Sequence, residues 1–315
     1  MIMNNFAKNK ENHLMQFIIY IFLYPLLILL SVLPFRVLYF FSDIFYFFVY
    51  HLFGYRKKIV RKNLLIAFPE LNDTERKKIE KNFYRHFADL FVEMIKAFRM
   101  PLKSLQKHFR FVNPEVLNRI TDKGQNIILV GGHYGNWEWV FPLAQLTTAQ
   151  PIATYLKINN RFFEKLMLKN RQRFGGKLIE TKQLKNKLKK YKNSTDKFIL
   201  GLLADQSPQL HRSRYWRKFF GVEVPVFVGP EKLTKSYNAA FVFMNVNKLK
   251  RGFYEVNFDV ITENPNSFEN YQLTDIYVDK LEKMIRQNPA YYLWTHNRFK
   301  HKDRKKEVLH LLDKG

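Results

Sequence analysis

The feature that most constrains the fold is an uncharged, apolar stretch near the N-terminus. Residues 12–35 carry no formal charge, and the apolar part, residues 14–33, is long enough to cross a bilayer as a helix. Pro25 lies inside it, and membrane helices tolerate the kink that proline introduces. Because no small-residue cleavage site follows, we interpret the stretch as a retained anchor rather than a signal peptide.

A second apolar stretch, residues 37–55, follows after a link of three residues. That link is short for two antiparallel spans, and Asp43 would be costly in hydrocarbon. We therefore expect a re-entrant or interfacial segment. Five basic residues follow within residues 55–63. Basic residues beside a membrane span favour a cytoplasmic location for the segment that carries them, and they attract anionic lipid. The alternative is that both stretches are buried helices of a soluble protein.

The charge balance points to an anionic partner. The chain has 53 Lys and Arg against 27 Asp and Glu, a formal net charge of +26. Nucleic acid, acidic lipid head groups and an acidic carrier protein all fit this surplus. The chain has no Cys, which excludes disulfides and thiolate catalysis.

Residues 73–100 show helical spacing of apolar side chains, and Asp73 or Thr74 is the expected N-cap. His86, Asp89 and Glu93 lie on nearby turns of this helix and have the side chains of metal ligands. Because no second ligand cluster is in view, we interpret them as a solvated or capped helix face.

Beyond this helix, strand and helix patterns alternate, as in an α/β domain. Strands are predicted at residues 126–130, 151–156, 197–204, 239–246 and 253–261, and helices at residues 136–146, 161–174, 181–192 and 275–287. We expect a central mixed sheet covered by helices. An anchor and interfacial segment of residues 1–56 would precede one domain of residues 57–315, and two small domains are the alternative.

The stretch "VGGHYGNWEW", residues 130–139, has the strand-to-helix form that often presents a reactive side chain. Residues five apart on one α-helix lie about 140° apart around the axis and do not face each other. His133 can therefore pair with Glu138 only from a turn before the helix, which Gly132 and Gly135 permit.

Such a pair has a clear chemistry. A neutral histidine takes a proton from a hydroxyl, while a carboxylate on its other nitrogen stabilises the imidazolium. Free N–H groups at the helix start can stabilise an oxyanion or a phosphate. The implied reaction is acyl transfer to an alcohol without a covalent enzyme intermediate. The alternative is that His133 and Glu138 only cap a helix, since one H-x4-E pattern is unspecific.

The motif "GGHYGNWEW" resembles the H-x4-D/E motif of the lysophospholipid-acyltransferase superfamily, in the form found in the bacterial late acyltransferases of lipid A biosynthesis. Other stretches resemble that family in the same order: "YRKKIVRKNLLIAFPE" (55–70), "LADQSP" (203–208), "FFG" (219–221), "GPEKL" (229–233) and "YYLWTHNRFK" (291–300). The resemblance covers nearly the whole chain and implies a glycerolipid-acyltransferase-like fold.

The resemblance also implies an activity. His133 would be the base that activates a hydroxyl of the lipid acceptor, with Glu138 as its partner. The donor would be an acyl carrier protein or acyl-CoA thioester, and the acceptor a phosphorylated glycolipid at the inner membrane. The catalytic domain would lie on the cytoplasmic face of a bacterial cell. We expect the reaction to need no metal or redox cofactor. We also expect the protein to be a monomer that does not bind nucleic acid.

Several residues are candidates for substrate binding. Gly135 and Asn136 belong to the motif itself. Arg161 and Arg171 lie where the family has spaced arginines and would hold phosphate or position the donor, because guanidinium forks suit phosphate. The alternative for both is a solvated basic helix face.

Asp205 follows a buried-type strand, where it would bind substrate or order Arg212 or Arg214, or only form a strand-end turn. Three basic residues near the C-terminus would meet lipid phosphates or close the domain structurally: His296, Arg298 and Lys300. Asn297 stands where many members carry a basic residue. The Glu-Gly-Thr-Arg motif of glycerol-phosphate acyltransferases is absent, which argues against a phospholipid acceptor. The alternative to a lipid A precursor is another glycolipid.

Two other function classes would account for parts of the sequence. A membrane-anchored protein that binds anionic polymers would explain the charge, but no nucleic-acid-binding motif is visible. A serine hydrolase would need a Gly-x-Ser-x-Gly elbow, and the sequence has none.

Overall fold

The computed structural model describes residues 2–192 and 194–307, except for the side chains of residues 2–14 and of residue 212. Within this part of the chain, the α-helices are α1 (Ile2–Val32), α2 (Phe35–Tyr46), α3 (Lys57–Ala67), α4 (Asp73–Lys96), α5 (Leu102–His108), α6 (Glu115–Asp122), α7 (Arg161–Gln172), α8 (Leu184–Leu188), α9 (Gly229–Ser236) and α10 (Gln272–Gln287). The strands are β1 (Phe109–Phe111), β2 (Ile127–Gly131), β3 (Gln150–Tyr155), β4 (Lys177–Glu180), β5 (Phe198–Leu203), β6 (Trp216–Phe219), β7 (Val222–Pro225), β8 (Ala240–Lys250) and β9 (Phe253–Thr262).

Seven of these strands form one mixed sheet in the order β1-β9-β8-β2-β5-β3-β4, flanked by helices. The pairings are parallel except for the β8–β9 hairpin, and β6 and β7 form a separate antiparallel ribbon. All five residues of the central strand β2 are buried, as expected for an apolar strand between two parallel neighbours. The predicted α/β class with a mixed sheet is confirmed.

Two predicted helices differ from the structure. Residues 136–146 contain a 3₁₀ helix, Trp137–Gln145, with Pro142 inside it. Proline lacks the N–H that an α-helix interior needs and clashes with the preceding turn, which disfavours a regular α-helix here. The Lys-rich segment 181–192 is broken into α8 and short 3₁₀ turns on either side of it.

The N-terminus of α4 is capped one residue earlier than predicted. The side-chain oxygen of Asn72 accepts a hydrogen bond from the Glu75 backbone N–H at 3.0 Å, and the Glu75 carboxylate accepts from the Asn72 N–H at 2.8 Å. This reciprocal pair satisfies two N–H groups at the helix start. Asp73 and Thr74 are therefore the first helical residues and not the cap.

The polar face of α4 is not solvated, so that prediction is wrong. His86, Asp89 and Glu93 are all buried beneath α2 and the β8–β9 hairpin. Asp89 accepts hydrogen bonds from Ser42 of α2 at 2.8 Å and from Arg251 at the hairpin turn. The covering elements are distant in sequence, so the pattern of α4 alone does not reveal them. No cluster of potential metal ligands occurs among the residues that the structure describes.

The N-terminal helices carry a large exposed apolar surface. In α1, the segment Met15–Val32 is long and apolar enough to cross a membrane, and only 6% of it is buried. This segment is therefore not part of the buried core in the part of the chain that the structure describes. The α2 helix packs on α4 by one side, and a π-helical turn, Phe47–Leu52, continues it. Its outer side and this turn expose Phe40, Phe41, Ile44, Phe47, Phe48 and Leu52.

The turn predicted between β2 and the following helix is present, and two glycines make it possible. Gly135 has φ +58°, and a Cβ on it would lie 2.7 Å from Cγ1 of Val246. A Cβ on Gly132 would lie 2.5 Å from Cδ1 of Leu281. The turn is thus packed tightly between β8 and α10.

We expect Gly135→Ala to lower the free energy of unfolding by about 2 kcal/mol or more. The added Cβ would be strained at a left-handed backbone conformation and would also clash with Val246. Gly221→Ala is the matched control, since Gly221 also has positive φ (+73°) but no atom near its Cβ position. Chemical denaturation of both variants measures the difference. Equal losses would show that the turn has room for a side chain.

Candidate active site

The site forms where two neighbouring parallel strands end. Gly131 of β2 pairs with Leu203 of β5, and His133 and Asp205 each follow two residues later. The carboxyl ends of parallel strands meet at one edge of a sheet, which is where α/β proteins commonly bind ligands. Nδ1 of His133 lies 2.7 Å from Oδ1 of Asp205.

The environment of the pair favours the charged forms. Burial by itself lowers the pKa of His133, but the charge and hydrogen bond of Asp205, together with the charge of Glu138, outweigh it and raise the pKa. Burial by itself raises the pKa of Asp205, but the interaction with His133 outweighs it and lowers the pKa. Asp205 is buried, whereas a fifth of the His133 side chain is exposed. With Nδ1 engaged, Nε2 is the ring nitrogen left for proton transfer.

Glu138 occupies the first turn of the 3₁₀ helix, as predicted, but it does not bond His133. Its carboxylate accepts two hydrogen bonds from Arg171 of α7, from Nε at 3.0 Å and from Nη2 at 2.6 Å. The hydrogen bond to His133 that we predicted for Glu138 is made by Asp205 instead. The reason is the strand order, since β5 lies directly beside β2 and brings Asp205 to the turn.

The predicted arginines have different surroundings. Arg171 is not on a solvated face, because it forms the two-pronged pair with Glu138 and its guanidinium lies 5.8 Å from the Phe141 ring centre. Arg161 is exposed at the start of α7, where its backbone N–H donates to the side chain of Gln16 in α1 at 3.4 Å. A role for either arginine in phosphate binding remains a prediction.

Asp205 bonds a histidine and not Arg214, which is one of the two arginines that we expected it to order. The hydrogen-bond partner of its carboxylate is Nδ1 of His133, and Arg214 is exposed. The side chain of Arg212 lies outside the described part of the chain. Asp205 thus belongs to the site by a contact that the sequence pattern did not indicate.

The C-terminal segment fixes the turn that carries His133. The backbone N–H of Leu293 donates to the His133 carbonyl at 3.0 Å, and the Gly135 N–H donates to the Tyr291 carbonyl at 3.0 Å. The hydroxyl of Tyr277 donates to the Gly131 carbonyl at 2.8 Å. The closing motif therefore contributes to the site through its backbone.

The basic residues of that motif are mainly structural. Arg298 is buried and donates to the Ser207 hydroxyl and to the Pro225 carbonyl. Nε2 of His296 accepts from the Ser207 backbone N–H at 3.0 Å, and burial lowers the pKa of His296 to about 4. Both side chains therefore hold the C-terminal segment against the chain around Ser207, as expected for a structural closure, whereas Lys300 is exposed.

Asn136 and Glu93 form a contact that sequence reasoning missed. Asn136 is fully buried, and its amide donates to Oε2 of Glu93 at 2.7 Å. Tyr254 donates to the same oxygen at 2.9 Å, and Tyr39 donates to Oε1 at 2.9 Å. A clue was present, because Glu93 falls three residues after Leu90 and hence on the buried side of α4.

Comparison with known proteins now identifies the family. The family model of bacterial lipid A biosynthesis acyltransferases matches residues 5–301. The chain belongs to this family. The resemblance inferred from the motifs is therefore confirmed, and the protein is an acyltransferase. A non-enzymatic polyanion-binding protein and a serine hydrolase are both excluded as readings of the sequence.

Named relatives agree with this assignment. The chain is 27% identical over 249 residues to the lipid A biosynthesis palmitoleoyltransferase of Escherichia coli (strain K12), covering 78% of this chain and 79% of the relative. The lipid A biosynthesis acyltransferase of Shigella flexneri matches equally. The E. coli lipid A biosynthesis lauroyltransferase is 24% identical over the same length. A member of this family takes an acyl donor and a lipid A acceptor.

Glu93 should make the stability of this acyltransferase depend on pH. Burial raises its pKa to about 7 from the ordinary 4.5. Since the native state then holds the proton more tightly than the unfolded chain, the stabilisation is complete below pH 4.5 and is lost as the pH rises through 7. We expect the free energy of unfolding, relative to Glu93→Gln, to fall over this interval by an amount on the order of 3 kcal/mol. Urea denaturation at several pH values measures it, and a pH-independent difference would refute the assignment.

Proposed function

We propose that this protein transfers a fatty acyl chain from a thioester donor to a hydroxyl of a lipid A precursor, with His133 as the general base. The observation that carries the proposal is the 2.7 Å hydrogen bond between Nδ1 of His133 and the buried Asp205. It fixes the ring and directs proton transfer to Nε2 at a partly exposed strand end.

The reaction then proceeds in two steps. Nε2 of His133 takes the proton of the acceptor hydroxyl as the oxygen attacks the thioester carbonyl, forming a tetrahedral intermediate. The carbon–sulfur bond breaks, and the imidazolium returns the proton to the leaving thiolate. Asp205 stabilises the imidazolium between the two steps. Because the acceptor attacks the donor directly, no covalent enzyme intermediate forms.

Glu138 and Arg171 act as a second pair beside the base. The negative charge of Glu138 helps to raise the pKa of His133. Glu138 also holds the Arg171 guanidinium by two parallel hydrogen bonds, which fixes its orientation. Arg171 and the exposed Arg161 are our candidates for binding phosphate groups of the donor or acceptor.

The donor is an acyl carrier protein or acyl-CoA, and the acceptor is a phosphorylated glycolipid of the inner membrane. In this proposal residues 1–56 attach a monomer to the cytoplasmic face and residues 57–315 form the catalytic domain. Support comes from the net charge of +26, from the exposed apolar segment Met15–Val32 and from the exposed side of α2.

The position of α2 supports the same proposal. Strand β8 runs parallel to β2 and continues past its end, so the β8–β9 turn lies on the side of the sheet that carries His133. At this turn Arg251 pairs with Asp43 of α2. The exposed apolar side of α2 thus lies near the edge of the sheet that carries His133. A lipid acceptor must reach that edge to react.

Exchanging the carboxylates for amides tests which one supports His133. We expect Asp205→Asn to lower kcat by about 10²- to 10⁴-fold. The acid limb of the pH–rate profile should move to lower pH, because the pKa of His133 falls when the bonded charge is lost. Glu138→Gln is the matched comparison and should move the limb less, since it removes a charge but no hydrogen bond to His133. Transfer assays over a pH series measure both.

A larger displacement in Glu138→Gln would instead make Glu138 the principal partner. His133→Ala completes the set, and it should abolish transfer while the protein still folds and stays in the membrane fraction. Transfer by purified His133→Ala at the wild-type rate would end the proposal that His133 is the base.

The proposed membrane contact of α2 can be tested by fluorescence. Phe40 is 62% exposed, so Phe40→Trp should be tolerated and should place an indole in the lipid interface. We expect brominated phospholipids in reconstituted vesicles to quench this added emission. Lys123→Trp is the control, because Lys123 is exposed just before β2, at the opposite end of that strand. Equal quenching of both variants, or of neither, would contradict the proposed orientation.

A further inference from the structure

The buried carboxylate of Glu93 lies behind the turn that carries His133, residues 132–135, which we call the catalytic turn. Glu93 is 0% exposed, and its oxygens accept hydrogen bonds from the Asn136 amide and from the hydroxyls of Tyr39 and Tyr254. In the described part of the chain, no cation lies within ion-pair distance of it. Burying an ionisable group without a direct ion pair is costly, and the nearby charge of Lys248 offsets only part of that cost, since the pKa of Glu93 is still raised. Stability alone therefore does not explain a glutamate here.

The contacts of Glu93 converge on the segment between His133 and Glu138. Asn136 immediately precedes the 3₁₀ helix, and its amide donates to the Glu93 carboxylate at 2.7 Å. Trp139 lies three residues further on, and its indole N–H donates to the Glu93 backbone carbonyl at 3.1 Å. Glu93 therefore bonds residues on both sides of the start of the 3₁₀ helix, namely Asn136 and Trp139.

The same carboxylate also reaches the surface helix. Tyr39 of α2 donates to Oε1 at 2.9 Å, while the next residue, Phe40, is exposed on the outer side of that helix. Tyr254 of β9 completes the set of donors. Glu93 thus joins α2, the β8–β9 hairpin and the catalytic turn at one group.

We propose that Glu93 is a positioning residue for acyl transfer, which holds the turn of His133 through Asn136. This inference rests on the proposed role of His133 as the base. Without an acceptor for the Asn136 amide, the turn relaxes and Nε2 loses its alignment with the acceptor hydroxyl. Misplacement of about 1 Å can cost about 100-fold in rate. The rate constant should therefore suffer more than substrate binding.

Side-chain substitutions isolate this contact. The Trp139 bond is to the backbone carbonyl of Glu93 and survives any substitution of its side chain. Glu93→Leu removes the acceptor, and we expect a fall in kcat of about 10- to 100-fold with KM changed by less than about threefold. Glu93→Gln keeps an acceptor for Asn136 and should retain most of the activity.

Asp89 provides the matched control. It lies one turn earlier on α4 and is also a buried carboxylate, but it bonds Ser42 and Arg251 and not the catalytic turn. We expect Asp89→Asn to lower the melting temperature while kcat stays near the wild-type value. A general loss of packing around α4 would instead lower kcat in both variants.

Reversing the donor and acceptor gives the decisive test, and it does not depend on the folding of Glu93→Leu. Asn136→Asp sets two carboxyl groups against each other, and they stay bonded only while they share a proton, so kcat should fall at least about 10-fold once the pH is raised to about 9 and both are ionised. Adding Glu93→Gln restores a donor–acceptor pair with the roles exchanged. We expect the double variant to regain kcat relative to Asn136→Asp alone, with KM unchanged.

The outcomes separate this inference from the proposed function. Equal kcat in Asn136→Asp and in the double variant overturns the positioning role, and so does a Glu93→Leu protein that behaves like Asp89→Asn. His133→Ala is assayed in parallel with the same donor and acceptor. If it retains transfer, the proposed base is wrong. If it is inactive while both Glu93 variants keep wild-type kcat, only the role of Glu93 is overturned.

Discussion

The hydrogen bond between His133 and Asp205 depends on the parallel pairing of β2 with β5, and most of the site is organised around that pairing. Gly131 and Leu203 are in register, so the side chains that follow at equal distance meet at one edge of the sheet. The bond satisfies a buried carboxylate and fixes the ring of a histidine that remains partly exposed. An acid–base site thus arises from strand order together with the residues that follow each strand.

Around this bond, the protein holds its catalytic turn from several sides. The C-terminal segment pairs with the backbone of the turn, Val246 of β8 closes the space at Gly135, and Glu93 supports Asn136 from behind. Each support comes from a different part of the chain. This agrees with the general need to hold a proton-transfer group within a few tenths of an ångström of its working position.

Local patterns predicted much of the fold. The strands at the sheet centre, the amphipathic α4 and the turn at Gly132–Gly135 all follow from apolar periodicity and glycine placement, which depend on neighbouring residues. Short edge elements such as β1, β4 and the β6–β7 ribbon were missed, because strands of three or four residues carry little periodicity. The polar residues of α4 were misjudged because α2 and the β8–β9 hairpin, which cover them, come from distant parts of the chain.

By itself, the sequence determined the family, the apolar N-terminal segment and His133 as the candidate base, since ordered motifs and uncharged length are local properties. Only the tertiary structure decided that Asp205 bonds the histidine and that Glu138 bonds Arg171. The physical reason is that a hydrogen-bond partner is chosen by spatial neighbourhood. Placing β5 beside β2 brings a residue 72 positions away closer to His133 than the carboxylate five residues along the chain.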